Sequence, residues 1–229
     1  MTRATLRTTR AAFLLLVVAA SLSSAAFAQV DQRKLVSTAT LTLSGFLNDP
    51  DMHWLRANFN RARAVLIAPQ ITRAGFIIGG SGGRAVVLAR NAKTGHWAGP
   101  AFYVLVTGSV GFQAGVSVSE TVSLVMTEKG LDSLLSSSFK FGGDVSVAAG
   151  PIGTGTQSNL VADFISFSRA KGIYGGLSLD GTVASTSDEW NRLYYGRAVT
   201  PPDILIRESV HNKQANELVN VVAAAAKKT

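Results

Sequence analysis

The sequence contains no cysteine, which excludes disulfide bonds, thiol catalysis and thiolate metal ligands together. Charged residues make up only 16% of the chain. The three histidines, His53, His96 and His211, do not combine with carboxylates at metal-ligand spacings. We therefore expect no metal and no cofactor. Since the basic residues are few and dispersed, we also expect no nucleic-acid binding.

The N-terminus has the pattern of a cleavable secretory signal peptide. Basic residues precede an apolar run and an Ala-x-Ala site: Arg3, Arg7 and Arg10, then 11–20, then Ala26-Phe27-Ala28. We expect cleavage after Ala28, export to a bacterial periplasm, and one domain over residues 29–229. Cleavage removes three of the 22 basic residues and none of the 14 acidic ones, so the net charge falls from +8 to +5. Secretion beyond the periplasm stays an open alternative.

Helical periodicity marks both ends of the mature chain. Apolar residues recur every three or four positions from Val30 to Leu47, which predicts an amphipathic helix. The same spacing predicts a second helix from Asp51 to about Val65, and Pro69 is expected to end the helical region. At the other end, Thr200 resembles a cap before two prolines, which predicts a helix reaching about Ala226.

Between these ends, short runs rich in Val, Ile, Phe and Tyr alternate with glycine pairs, which is typical of strands and tight turns. The glycine cluster 79–83 is expected to form the turn of a hairpin between strands at 74–78 and 85–90. Further strands are predicted near 102–107, 111–126, 144–149, 163–169 and 172–179, and residues 131–139 form a short helix at best.

The segment from Thr94 to Ser119 has no charged residue, which is long enough to raise the question of a membrane span. Glycines interrupt it, and the apolar residues from Val116 onward alternate with polar ones, as in a strand. Glu120 lies on the same face as these apolar residues, and we interpret it as a strand-end or hydrogen-bonded carboxylate rather than a functional one. Taken together, the pattern predicts an α+β fold: an antiparallel β-sheet or partly closed barrel packed by N-terminal and C-terminal helices.

Several ordered motifs resemble the SYLF domain family. The segments that carry the resemblance are 74–83 (AGFIIGGSGG), 96–102 (HWAGPAF), 111–115 (GFQAG), 148–153 (AAGPIG), 168–181 (SRAKGIYGGLSLDG) and 194–196 (YYG). The resemblance covers about 62–206. It implies a lipid-binding module that is related to fungal proteins that bind actin. Because a periplasm offers neither actin nor much phosphoinositide, the implied partner is an anionic phospholipid or a membrane surface. The oligomeric state is left open.

Candidate lipid contacts are of two kinds. The cations at predicted strand ends and turns are Arg73, Arg84, Arg90, Lys93, Arg169 and Lys171. The apolar contacts come from the first helix, where Leu35, Leu43 and Phe46 could insert into a membrane. Two alternatives stay open, namely that this stripe packs on the protein's own sheet and that the cations are merely solvated.

Three other functions remain as alternatives to a lipid-binding module. A structural envelope protein would act through protein contacts without binding lipid. An outer-membrane barrel is favoured by the uncharged strands and disfavoured by the expected terminal helix. A serine hydrolase would use Ser81 in the Gly-x-Ser-x-Gly pattern, but the sequence after it predicts a strand instead of the required helix. We therefore expect no enzymatic activity.

Overall fold

The computed structural model describes residues 30–75, 78–110, 115–153, 160–170, 173–174 and 179–227. Within these ranges the chain forms six α-helices: α1 (Val30–Asn48), α2 (His53–Asn58), α3 (Glu128–Leu135), α4 (Asp188–Tyr195), α5 (Pro201–Leu205) and α6 (Asn216–Lys227). The nine strands in the same ranges are β1 (Ala64–Gly75), β2 (Ile78–Arg90), β3 (Trp97–Val110), β4 (Gly115–Val125), β5 (Ser138–Lys140), β6 (Val147–Ala149), β7 (Phe164–Ala170), β8 (Ile173–Tyr174) and β9 (Val183–Thr186).

All the strands belong to one sheet that curls into a half-barrel. The strand order is β5-β9-β3-β2-β1-β4-β7-β6, and β8 pairs with β7. Every pairing is antiparallel except that of β6 with β7. Because the N-terminal and C-terminal helices pack on this sheet, the α+β prediction is confirmed.

Each face of the sheet has its own apolar core. On one face, α1 and α6 cover Ile67, Val86 and Val122. On the other face, α3 and α5 cover residues such as Leu66 and Val87. We call the first of these the α1 face. Since successive side chains of a strand point to opposite faces, the buried strands are apolar at nearly every position rather than at every second one.

Helix α1 confirms the prediction for residues 30–47. Its buried stripe contains Val36, Ala39, Leu43 and Phe46, which recur at helical spacing. At its C-terminus, the guanidinium of Arg56 donates hydrogen bonds to the carbonyl oxygens of Leu47, at 3.2 Å, and of Asp49. These bonds satisfy carbonyls that a helix end leaves without partners.

The second helix is shorter than predicted. Helix α2 ends at Asn58, a 3-10 turn follows over Phe59–Arg61, and β1 already begins at Ala64. The prediction for Pro69 is also wrong, because this proline lies inside β1. The pairings of β1 with both neighbours shift between Ile67 and Ile71, so Pro69 occupies a β-bulge, where a missing N–H is tolerated.

The glycine cluster 79–83 does not form the hairpin turn. It lies within β2, paired with β1 on one side and β3 on the other. Residues 76–77, between β1 and β2, lie outside the described residues. Glycine in the interior of a strand often marks a close approach of the backbone, and the sequence alone does not distinguish this case from a turn.

The predicted C-terminal helix is two helices. Helix α5 ends at Leu205, residues 206–212 form a connection, and α6 starts at Asn216 after a short 3-10 turn. The cap at Thr200 is confirmed, since its N–H and hydroxyl both donate to the carboxylate of Asp203, at 3.0 Å and 2.6 Å. Helix α4 was not predicted.

The other predicted strands agree with the structure to within a few residues. The uncharged segment forms β3 and the first half of β4. Strands β6 and β7 correspond to the predicted strands at 144–149 and 163–169. Only residues 173–174 of the predicted strand 172–179 form a described strand, β8. The region 131–139 contains the end of α3 and the start of β5.

Candidate functional site

Helix α1 crosses the sheet, and this crossing defines the candidate site. Leu35, in the first half of the helix, lies with Arg84 of β2 around one groove. Near the other end of the helix, the ring of Phe46 lies 5.0 Å from the guanidinium carbon of Arg169 on β7. The helix therefore runs over β2, β1 and β4. Beyond it, the described strand ends carry exposed residues of β3 and β4.

A row of polar side chains follows the edge of α1 across four strands. Arg84 of β2 pairs with Gln70 of β1, and Glu120 of β4 pairs with Arg169 of β7. Glu120 lies beside the β1 bulge, between the paired positions Thr121 and Ser119. We call these four side chains the polar row. They mark the boundary between the helix-covered half of the α1 face and its uncovered half.

Beyond the polar row, the α1 face carries exposed valines. Val106, Val116, Val118 and Val183 are 56%, 70%, 44% and 40% exposed. Val183 pairs with Val106, Val106 with Gly82, Gly82 with Thr72, and Thr72 with Val118, so one row of paired residues runs across five strands. We call Val106, Val116, Val118 and Val183 the valine surface. The sequence analysis did not assign it, although the alternation from Val116 onward was the available signal.

The opposite face of the same strand ends is polar. Arg73 pairs with Ser81 on one side and with Ser117 on the other, and Thr107 pairs with Ser81 across the next strand. The hydroxyl of Thr107 lies 2.6 Å from that of Thr182. Since the polar residues and the valines alternate along the same strands, the apolar character belongs to the α1 face alone.

The structure does not bring the six predicted cations together. Arg84 lies in the polar row, and Arg73 lies three residue pairs farther toward the uncovered end, on the opposite face. Arg90 lies at the other end of β2, ~30 Å along an extended strand from the pair of Arg73 and Ser81. Lys93 follows in the exposed turn after β2. Arg73 and Arg84 therefore lie at the same end of the sheet as the valine surface, Arg84 on its face and Arg73 on the opposite face, whereas Arg90 and Lys93 do not.

Two of the six predicted cations, Arg169 and Arg90, bind other groups of the protein, and a third is not described. Arg169 forms an ion pair with Glu120 at 2.6 Å, which confirms the interpretation of Glu120 as a hydrogen-bonded carboxylate. Arg90 donates to the carbonyl oxygen of Asn60 at 2.9 Å. Lys171 lies outside the described residues.

The three apolar residues of α1 that were predicted to contact lipid differ in burial. Leu43 and Phe46 are fully buried in the core between α1, α6 and the sheet, so the stripe packs on the protein's own sheet and does not face a membrane in this conformation. Amphipathic spacing shows that a helix has an apolar face but not what covers it, which is why the sequence left both alternatives open. Leu35 is only partly buried and lines the groove beside Arg84.

Ser81 does not lie on a nucleophile elbow. It is a residue of β2, paired with Arg73 and Thr107, and the strand continues to Arg90. The exposed strand-to-helix turn that such a nucleophile needs is therefore not formed here.

The clearly shifted pKa values belong to groups away from the polar row and the valine surface. Burial of the Asp163 carboxyl opposes ionisation, but hydrogen bonds from Thr127 and from the N–H and hydroxyl of Ser146 lower its pKa overall. Burial raises the pKa of Tyr103, Tyr194 and Tyr195 well above the ordinary value. Asp163, Tyr103 and Tyr195 are hydrogen-bonded within the fold.

Two further findings concern the described ranges. None of their helices combines the length and the apolar character that crossing a membrane requires. No group of three or more His, Asp or Glu side chains in these ranges is placed to hold a metal ion.

The sequence profile of a family described as "Ysc84: Las17-binding protein actin regulator" matches residues 106–225, just over half of the chain. The chain belongs to this family. The match confirms the resemblance to SYLF domains. It also contains β4, β7 and β9, which carry much of the polar row and the valine surface. The description is that of a binding and regulatory family rather than a family of enzymes.

Individual relatives agree with this assignment. The chain is 26% identical over 157 residues to the human SH3 domain-containing YSC84-like protein 1. The aligned region covers 66% of this chain and 46% of the relative. It is 30% identical over 152 residues to LAS seventeen-binding protein 3 of Saccharomyces cerevisiae. This aligned region covers 63% of the chain and 33% of the relative. The chain thus spans half or less of the length of these relatives. No solved structure matches it significantly.

Proposed function

We propose that this protein is an exported, non-enzymatic, peripheral lipid-binding module that recognises anionic phospholipids in the cell envelope. The observation that carries the proposal is the uncovered half of the α1 face. There the valine surface lies directly beyond Arg84. Apolar side chains at the end of a sheet with a guanidinium behind them match the depth profile of a membrane surface, where head groups lie above acyl chains.

The valine surface supplies the larger share of the expected binding energy. Burying a valine side chain completely stabilises by ~1.5 kcal/mol, so four valines that are about half exposed contribute on the order of 3 kcal/mol. Single exposed apolar residues are ordinary, whereas these four lie at one sheet end as two pairs, Val106 with Val183 and Val116 with Val118, with Gly82 and Thr72 between the pairs. An apolar surface of this kind favours contact with lipid over contact with water.

Arg84 and Arg73 supply the charge dependence. Neither has a carboxylate within ion-pair distance among the described residues. A cation near an anionic membrane contributes about 1 kcal/mol and loses much of this as salt screens the surface. Together with the valines, the total is on the order of 5 kcal/mol, which corresponds to weak and reversible binding between millimolar and micromolar lipid.

A structural role through protein contacts is the second candidate. The family description and the name of LAS seventeen-binding protein 3 both refer to Las17 binding, which is an interaction between proteins. The valine surface would then be covered by a partner protein. This candidate predicts that the surface is needed for assembly and that vesicles leave the protein in solution.

Co-sedimentation of the mature chain with vesicles tests the proposal. Vesicles that contain phosphatidylglycerol should sediment the protein at low salt, and vesicles of phosphatidylcholine should sediment much less. The double variant Val116→Asp, Val118→Asp should remain in the supernatant, because two carboxylates replace apolar contacts and repel the anionic surface. Val161→Asp is the control for a carboxylate added elsewhere, since Val161 is 94% exposed and lies at the opposite end of the sheet, before β7.

One outcome tests the valine surface as the contact, and another separates the two candidate functions. Equal sedimentation of the double variant and the wild type with anionic vesicles would show that the valine surface is not the contact. Indifference of the wild type to anionic vesicles at low salt, combined with self-association that the double variant abolishes, would favour the structural role.

A further inference from the structure

A groove opens between the polar row and the valine surface on the α1 face. Its volume is about 420 Å³, which falls within the range of roughly 300 to 1,000 Å³ for small-molecule sites. Residues of three strands and of α1 line it: Leu35, Gln70, Thr72, Gly82, Gly83, Arg84 and Val104. Leu35 and Val104 contribute aliphatic groups to the lining, and Arg84 contributes its charge.

The groove exists because β2 has no side chain at position 82. A Cβ atom added to Gly82 would meet only the carbonyl oxygen of Leu105, at an ordinary distance of 3.6 Å. At Gly83, by contrast, a Cβ would lie 2.3 Å from the carbonyl oxygen of Gln70, so that residue must be glycine. Glycine within a strand costs about 0.5 to 1 kcal/mol relative to alanine. The fold requires Gly83 but does not require Gly82, and what Gly82 provides is open space.

The guanidinium of Arg84 is held in place without being neutralised. It stacks over the ring of Trp190 at 3.9 Å from the centroid, and its hydrogen bond to the hydroxyl of Ser187 is long at 3.5 Å. Across the described ranges, no carboxylate pairs with it. A positioned guanidinium with free N–H groups suits a phosphate or a carboxylate, which it can bind through two hydrogen bonds.

We propose that the groove holds one acyl chain of a single anionic phospholipid, with its phosphate against Arg84. This inference rests on the proposed function and names the ligand that the same surface selects. Charge complementarity decides the head group, because the only charged residue that lines the described groove is a cation. The aliphatic lining and the bare backbone at Gly82 fit a chain that lies along β2 toward the valine surface.

Binding of a monomeric lipid distinguishes the groove from general adhesion to membranes. The probe is lauroyl lysophosphatidylglycerol below its critical micelle concentration, titrated into the mature chain by calorimetry. Lauroyl lysophosphatidylcholine and sodium laurate are the comparison ligands. The wild type should bind the phosphoglycerol probe about tenfold more tightly than the phosphocholine one, since only the first has a net negative charge.

Two variants test the groove directly. Gly82→Val fills it with a side chain that the strand accommodates, and it should weaken binding of the phosphoglycerol probe by more than about tenfold at an unchanged melting temperature. Gly108→Val is the matched control, because a Cβ there meets nothing within 4 Å on the neighbouring strand and lies outside the groove. Arg84→Gln should remove the preference for the anionic head group.

Unchanged probe binding by Gly82→Val would overturn the proposal, as would tighter binding of laurate than of the lysophospholipid. If the wild type sediments with anionic vesicles but binds no monomeric probe, the groove proposal fails while the proposed function stands. If the protein neither binds the probe nor sediments with vesicles, both proposals fail.

Discussion

The guanidinium of Arg169 lies 2.6 Å from the carboxylate of Glu120, its cross-strand partner on β4. The same guanidinium lies 5.0 Å from the ring of Phe46, and a Cβ on Gly45 would approach it to 3.3 Å. The ion pair therefore sits under the second half of α1. It ties β4, β7 and the helix together, and we expect Arg169 to stabilise the fold rather than to bind lipid.

Removal of one partner of this pair should lower stability. Glu120→Gln leaves the Arg169 charge without its carboxylate, and we expect a loss of about 1 kcal/mol because both side chains retain some contact with solvent. Denaturant unfolding of the two single variants and of the Glu120→Gln, Arg169→Met double variant measures the coupling. Strict additivity of the two losses would show that the pair contributes nothing.

The contribution of each cation to binding of anionic vesicles should depend on where that cation lies. Arg73→Gln combined with Arg84→Gln should weaken sedimentation with anionic vesicles by about 2 kcal/mol at low salt, since each cation near the surface contributes about 1 kcal/mol. Arg90→Gln combined with Lys93→Gln is the control with the same loss of charge at the far end of β2. Equal effects of the two double variants would mean that only net charge matters.

The adjacent glycines of β2 should respond in opposite ways to alanine. Gly83→Ala places a Cβ 2.3 Å from the backbone of β1, and we expect it to destabilise the fold by about 1 to 3 kcal/mol. Gly82→Ala should be neutral or should stabilise by up to ~1 kcal/mol, because its Cβ has room and alanine restricts the unfolded chain. Thermal unfolding of the two variants tests this difference in stability. Similar losses of stability in both variants would contradict the distances given for the two Cβ atoms.

Asp163 should make stability sensitive to acid. Its pKa is lowered in the folded state, so its contribution is complete above the ordinary carboxyl pKa and disappears as the pH falls through the lowered value. We expect Asp163→Asn to cost about 2 kcal/mol at pH 7, since its neighbours Thr127 and Ser146 lose a charged acceptor. The cost should shrink below about pH 4. A cost that does not vary with pH would rule out this linkage.

The buried tyrosines should make the fold sensitive to alkali. Burial raises the pKa of Tyr103 and Tyr195, whose hydroxyls donate to the carbonyl oxygens of Leu134 and Pro100. Their contribution is complete below the unfolded pKa of about 10 and is lost as the pH rises above it, because only the unfolded chain releases these protons. Absorbance titration near pH 11 should show fewer tyrosinates in the native protein than in denaturant. Equal titration in both would contradict this.

Much of the fold could be predicted because its signals are local. Helical spacing predicted α1 almost to the residue, and the alternation after Val116 correctly assigned the uncharged segment to strands. The errors occurred where two structures share one local pattern. Ala62 and Val65 fit a helix as well as a strand, and the glycines at 79–83 fit a turn as well as the interior of β2.

The candidate site could be predicted only in part, since its members are distant in sequence. Leu35 and Arg84 were both named, but nothing local indicates that they line one groove with Val104. Alternation likewise predicts that Val118 and Val122 share a face without showing that α1 covers only Val122.

The sequence by itself determined the α+β class, the first helix and the family, because these depend on spacing and motifs along the chain. The tertiary structure decided which apolar residues are buried and which cations lie near exposed ones. Leu43 enters the core while Val116 stays exposed, and Arg84 lies near the valine surface while Arg90 does not. The physical reason is that coverage depends on where α1 crosses the sheet, and that crossing is set by long-range packing rather than by local pattern.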